Sequence, residues 1–137
     1  MSKNRQPCVY CGAPATTADH VPPKNLFPAS RRKNLTTVPS CRPSNRAGGR
    51  DDEYFRQVIV TRDDVAEKPE AAEVLATELR AFRNPRRIGL SRSLVNRVSM
   101  SEVESQGGIY VGRQLVYRVD VPRLARVASR TAQGLYF

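Results

Sequence analysis

The sequence predicts an α+β protein, and three observations predict it. Apolar residues recur at helical spacing around Tyr54 to Ile59 and again from Ala72 to Phe82. From Val98 to Val119 they alternate instead with polar residues, the pattern of a small antiparallel sheet. Ahead of both lies a basic stretch of 50 residues that holds all three cysteines and is too short and too polar to build a core of its own.

The elements follow in order. Residues 1–7 are polar, and Cys8 to Gly12 form a tight turn that the missing side chain of Gly12 permits. Asp19, His20 and Val21 form a first short strand. Pro22 and Pro23 end it, because neither can donate to a ladder. A basic loop covers 24–34. Thr36, Thr37 and Val38 form a second strand that pairs with the first. Asn45 to Arg50 are rich in Gly and Arg and read as a turn, after which Asp51, Asp52 and Glu53 open a helix to about Thr61. Acids in a first turn complement the helix dipole, so these three are expected as cap and dipole partners rather than as metal ligands. Tyr54, Phe55, Val58 and Ile59 face inward.

Pro69 opens the next helix, with Ala72, Leu75, Ala76, Leu79 and Phe82 as its buried stripe and Asn84-Pro85 as its stop. Residues 86–96 read as helical, with Ile88, Leu90, Leu94 and Val95 inward. The alternating segment that follows predicts a small antiparallel sheet with turns at Gly107-Gly108 and Gly112-Arg113. Pro122 opens a last helix carrying Leu124, Val127, Ala128 and Thr131 in register. Leu135, Tyr136 and Phe137 end the chain on apolar residues. They are expected to dock into the body, to serve a protein partner or a dimer, or to mark a chain that continues further. Residues 1–62 are expected as the core and 63–137 as a helical and hairpin extension packing on it.

Composition bounds the classes of function. Apolar residues make up 39% and charged residues 26%, the balance of a globular chain. There is no apolar run long enough to span a membrane and no signal-peptide pattern at the N-terminus, so a cytoplasmic location is expected. An odd number of cysteines, three, favours metal binding over a disulfide framework. The net charge of +10 is uneven: residues 1–50 hold nine Lys or Arg against Asp19 alone, and 51–137 hold fourteen against twelve acids. A local excess of this kind suits phosphate binding, and DNA is the expected partner.

The charged stretch also holds the candidate chemistry. Cys8-x2-Cys11 precedes Asp19-His20, Asn34 follows His20 by fourteen residues, and Cys41, Ser44 and Asn45 close the stretch. His20 is the only histidine. Hydrolysing a phosphodiester requires a base to activate water and a cation to stabilise the departing oxygen. Histidine as a residue type titrates near neutrality, and a hard divalent cation prefers carboxylate and amide oxygens. Asp19 and Asn45 can supply those oxygens, and Asn34 can hydrogen-bond the loop that carries His20. Thiolates suit a structural zinc that staples a segment without a core.

These residues resemble the HNH endonuclease family in its zinc-knuckle-bearing form. The resemblance rests on C-V-Y-C at Cys8 to Cys11, D-H-V-P-P at Asp19 to Pro23, Asn34-Leu35, and C-R-P-S-N at Cys41 to Asn45. Asp51 to Arg56, D-D-E-Y-F-R, adds to it. The resemblance implies a ββα-metal fold, Asp19 and Asn45 as ligands of a single catalytic ion, His20 as general base and Asn34 as the residue that orients the site. Mg²⁺ or Mn²⁺ is the first choice of ion. Lys24, Arg31, Arg32, Lys33, Arg42, Arg46 and Arg50 would hold the DNA backbone. The family pattern carries a fourth knuckle cysteine where this chain has Ser44, leaving Cys8, Cys11 and Cys41 as three ligands for a structural zinc.

Each residue also has a plainer reading. Asn34 can be a turn residue, Asn45 a capping residue, the cysteines three buried thiols, and Arg31 to Lys33 a solvated loop. A non-catalytic zinc-knuckle module that binds nucleic acid is the alternative to an endonuclease.

Overall fold

In the computed structural model, which describes residues 6–87, 89, 92 and 95–137, strands Thr17–His20 (β1) and Thr37–Ser40 (β2) pair antiparallel. Asp19 stands opposite Val38 and His20 opposite Thr37. Ahead of β1 the cysteine turn closes on itself: Cys8 N–H donates to Ala13 O at 2.7 Å and Gly12 N–H to Cys8 O at 2.8 Å. Gly12 adopts φ 74°, a conformation glycine enters without steric cost. Val9 N–H donates to Pro39 O at 3.0 Å and fastens the turn to β2.

Helix α1 spans Arg42–Val60 and starts directly after β2. This corrects the expectation of a turn at Asn45 to Arg50 and a helix beginning at Asp51. The start signal lies earlier than the acidic residues. Cys41 is the N-cap, its sulfur accepting from Ser44 N–H at 3.5 Å, and proline occupies the first turn. Gly48 and Gly49 are tolerated in the helix interior, and Gly48 has a packing reason: a Cβ there would overlap the Arg130 guanidinium. Asp51, Asp52 and Glu53 therefore lie in the middle of α1, too far from its N-terminus to act as cap or dipole partners.

The chain gathers into two units, Met1–Ala76 with Asp120–Phe137, and Thr77–Val119. The division drawn from sequence at residue 62 separates α1 from the C-terminal helix, whereas in the fold these two share one unit. Helix α2 is a single turn, Asp63–Ala66. Helix α3, Pro69–Phe82, begins at the expected proline. Its buried line runs through Val74 and Glu78, while Leu79, expected inward, is 55% exposed.

The C-terminal helix α4, Val121–Leu135, packs on α1. Its N-cap, Asp120, accepts from Arg123 N–H at 3.3 Å, and Asp120 N–H donates to the Tyr54 hydroxyl at 2.8 Å. Asp51 of α1 receives Arg123 at 2.8 Å and Arg126 at 2.6 Å, both from α4. The hydrogen bond from Arg126 and that from Arg123 hold the Asp51 carboxyl below its usual range against the opposing effect of burial. Buried Val21, Val38, Tyr54, Val58 and Val127 form the core of this unit. Gly134 completes it, because a Cβ there would stand 2.6 Å from a methyl of Val21. Val21 is 2% exposed and has little room to yield. Gly134→Ala is therefore expected to destabilise the protein by about 1–3 kcal/mol through overpacking. A thermal or urea melt reads this directly, and a midpoint equal to wild type would refute the close packing of α4 on Val21.

In the second unit Val98–Glu104 (β3) and Tyr110–Tyr117 (β4) form an antiparallel hairpin. Its turn is closed by Ser105 N–H donating to Ile109 O at 2.8 Å, with Gly108 at φ 75°. Gly112 was expected in a turn; it lies inside β4, where its φ of 120° accompanies the register shift opposite Val103 and Glu104. Pro85–Arg87 form a 3-10 turn. Within the helix expected over 86–96, Ile88, Leu90 and Leu94 lie outside the described residues, and Val95, expected inward, is 69% exposed. Leu135, Tyr136 and Phe137 are exposed as well. No helix among the described residues is long and apolar enough to cross a membrane.

Candidate functional site

Two constellations lie close together in the first unit. The first is the cysteine cluster. The sulfurs of Cys8, Cys11 and Cys41 all lie within 4.8 Å of one another, with Cys11 and Cys41 at 3.6 Å. A tetrahedral zinc with bonds of about 2.3 Å separates its sulfurs by about 3.8 Å, close to the Cys11–Cys41 separation, and the Cys8 sulfur lies within 4.8 Å of both. The Cys41 thiol also contacts the Ser44 hydroxyl at 3.2 Å, which puts serine against the cluster. Burial pushes the Cys8 thiol up. Hydrogen bonds from the backbone at Cys41, Tyr10 and Cys11 and from the Ser44 side chain outweigh it and bring the thiol down to about 6. The cluster can hold a metal ion.

The second constellation is an open cleft of about 380 Å³. Asp19 and His20 reach it from β1, and Asn45, Gly49 and Asp52 from α1. Positions 45, 49 and 52 recur at helical spacing and share one face. Lys24 and Asn25 complete the wall after β1. The fold thus brings Asp19, His20, Asn45 and Lys24 together. Asn34 is exposed, takes a left-handed turn at φ 58°, and is not among the lining residues.

Hydrogen bonds fix the two oxygen donors. The Asn45 amide nitrogen donates to Ala18 O at 3.1 Å and to the Thr17 hydroxyl at 3.3 Å, which leaves its carbonyl oxygen as the acceptor. Asp19 Oδ1 accepts the His20 backbone N–H at 3.0 Å. Asp19 Oδ2 accepts the Tyr10 hydroxyl at 2.9 Å and Arg130 at 2.7 Å. Each carboxylate oxygen offers two lone pairs, so Oδ2 is saturated and Oδ1 keeps one. One carboxylate oxygen and one amide oxygen suit a hard divalent cation. Burial, then the bond to Asp19, push the Tyr10 phenol up to about 12, so it stays a donor.

Tyr10, Asp52 and Arg130 were missed by sequence reasoning. Tyr10 carried a weak signal, since it lies between two candidate zinc ligands. Asp52 falls on the face of Asn45 only once α1 is known to begin at Arg42. Arg130 carried none.

Asp52 has a pH consequence. Burial raises its carboxyl to about 6, with the charges of Asp19 and Asp51 adding to the effect and Arg130 opposing it. An unfolded aspartate titrates near pH ~4. The folded state therefore binds the proton more tightly, and ionisation of Asp52 opposes folding increasingly as pH rises from about 4 to 6. Asp52→Asn is expected to raise the melting temperature at neutral pH in chelator, and to lose this advantage near pH ~4. The same gain at both pH values would contradict the assignment.

The basic residues divide. Arg31 pairs with Glu70 at 3.0 Å, and Arg32 Nε donates to Phe27 O at 3.0 Å. Lys33 is exposed on the same loop. Arg42, Arg46 and Arg50 are exposed at helical spacing along α1. Compared with known protein families, with curated proteins and with solved structures, the chain matches none.

Proposed function

We propose that this chain is a metal-dependent endonuclease of the HNH type that hydrolyses DNA phosphodiester bonds, with β1, β2 and α1 as its ββα-metal motif. The observation that carries the proposal is the convergence of Asp19 and His20 from β1 with Asn45 from α1 on one open cleft. Asp19 and Asn45 would hold the ion, and Mg²⁺ or Mn²⁺ would suit their hard oxygens. When bound, the ion neutralises charge that develops on the phosphate and the leaving 3′-oxygen. His20 accepts the proton from the attacking water. Lys24 at the cleft and Arg42, Arg46 and Arg50 along α1 contact the DNA backbone, with Arg31, Arg32 and Lys33 contributing from the loop. An ion such as Zn²⁺ held by Cys8, Cys11 and Cys41 would staple the segment before β1.

Plasmid nicking with Mg²⁺ or Mn²⁺, against a chelator control, tests the reading. Metal-dependent nicking that Asp19→Asn abolishes is the expected result, and no nicking under any metal would overturn it. Binding is expected to weaken steeply with salt: about five phosphate contacts give a slope of roughly −4 to −5 in log K against log salt. A flat dependence would remove the basic row from the DNA backbone.

One observation favours a second reading. The saturation of Asp19 Oδ2 by Tyr10 and Arg130 also suits a non-catalytic module in which Asp19 is a structural anion. DNA binding without nicking is the result that reading expects.

A further inference from the structure

We propose that the cysteine cluster and the Asp19 carboxylate are coupled through Tyr10 and Arg130. Filling the cluster with a soft metal ion fixes the orientation of Asp19, and with it the affinity of the cleft for a hard divalent ion. The second half of this inference rests on the reading of Asp19 as an ion ligand.

Tyr10 lies between Cys8 and Cys11 in the chain, so an ion that holds both thiols also holds the backbone on either side of it. Its hydroxyl donates to Asp19 Oδ2 at 2.9 Å. Arg130 makes a second, independent link. One nitrogen donates to Ser44 O at 3.0 Å, and Ser44 sits against the Cys41 thiol. Another nitrogen donates to the same Asp19 Oδ2 at 2.7 Å. The guanidinium lies 4.5 Å from the centre of the Tyr10 ring, so the two links brace each other. The side chains of Arg130 and Asp19 are only 21% and 16% exposed, which limits screening of the pair.

The local packing is built around this contact. Gly48 leaves the space that the Arg130 guanidinium occupies, and any side chain there would overlap it. Both links end on Oδ2, the saturated oxygen, so they set the carboxylate plane without using the open lone pair of Oδ1. A hydrogen-bonded outer partner of this kind orients a ligating carboxylate, and its loss typically costs about 10–100-fold in metal affinity. Coupling must also run in reverse, because linkage between two binding sites is reciprocal.

The test uses the full chain with Cd²⁺ as the probe of the cluster, read by its thiolate charge-transfer absorption, and Mn²⁺ as the probe of the cleft, read by electron paramagnetic resonance. Saturating Cd²⁺ is expected to tighten Mn²⁺ binding to the wild-type protein by about fivefold or more. Tyr10→Phe and Arg130→Lys are expected to shrink that factor while still binding one Cd²⁺. Lysine keeps the charge but cannot bridge two acceptors as the planar fork does. Asp19→Asn is expected to weaken Cd²⁺ binding even without Mn²⁺. Equal Cd²⁺ affinities in wild type and all three variants would overturn the coupling. Cd²⁺ affinities that respond to the variants, with Mn²⁺ bound no better by wild type than by Asp19→Asn, would support the coupling and overturn the reading of the cleft as an ion site.

Discussion

His20→Ala is expected to slow metal-dependent DNA cleavage about a hundredfold or more while leaving DNA affinity nearly unchanged. His20 lines the cleft beside Asp19, half-buried at the end of β1, and the backbone there is held by the pairing of His20 with Thr37. Removing the side chain leaves that pairing intact. It also leaves the Asp19 carboxylate with its contacts to Tyr10, Arg130 and the His20 amide, since the last comes from the main chain. The loss should therefore fall on kcat, with KM close to wild type, the signature of a group that acts in the transition state. Added imidazole should restore part of the rate, which a folding defect would not permit. Cleavage by His20→Ala at the wild-type rate would remove the residue from the mechanism.

Ser44→Cys is expected to tighten zinc binding and to raise the melting temperature only when zinc is present. The three sulfurs already lie within 4.8 Å of one another, and the Ser44 hydroxyl lies 3.2 Å from the Cys41 sulfur. A neutral hydroxyl is a poor zinc ligand, whereas a thiolate completes the tetrahedral set. Stabilisation follows from linkage: zinc at about a hundredfold above its dissociation constant adds about 2.7 kcal/mol. For a chain of this size that is a shift of roughly 5–20 °C. The measurement is a thermal melt of both proteins, each with zinc and with chelator. Four equal melts would identify the cysteines as packed thiols rather than a metal site.

The sequence by itself determined what local patterns carry. The prolines at positions 69 and 122 mark the starts of α3 and α4, since a fixed φ and a missing N–H suit a first helical turn. Alternation over Val98 to Tyr117 reads directly as the β3–β4 hairpin, because side chains of a strand project to opposite faces in turn. The β1–β2 pair is legible for the same reason, although its bounds differ by one or two residues. The start of α1 is not legible locally, because Gly48 and Gly49 signal a turn, and the contact that gives Gly48 its place in the helix comes from Arg130.

Only the tertiary structure decided what distant contacts decide. Asp51 to Glu53 changed from a presumed cap to the middle of a helix, and Asp52 thereby joined the face of Asn45. Asn34 satisfied a motif spacing yet took a left-handed turn and is not among the residues that line the cleft. Arg130 reaches Asp19 across 111 residues of chain and saturates one of its oxygens. No periodicity or spacing encodes such a contact, because it depends on how α4 packs against α1 and Val21. The candidate ligands are therefore legible as short motifs at Cys8 to Cys11, Asp19-His20 and Cys41 to Asn45, while the contact of Arg130 that orients and neutralises Asp19 is assigned by packing.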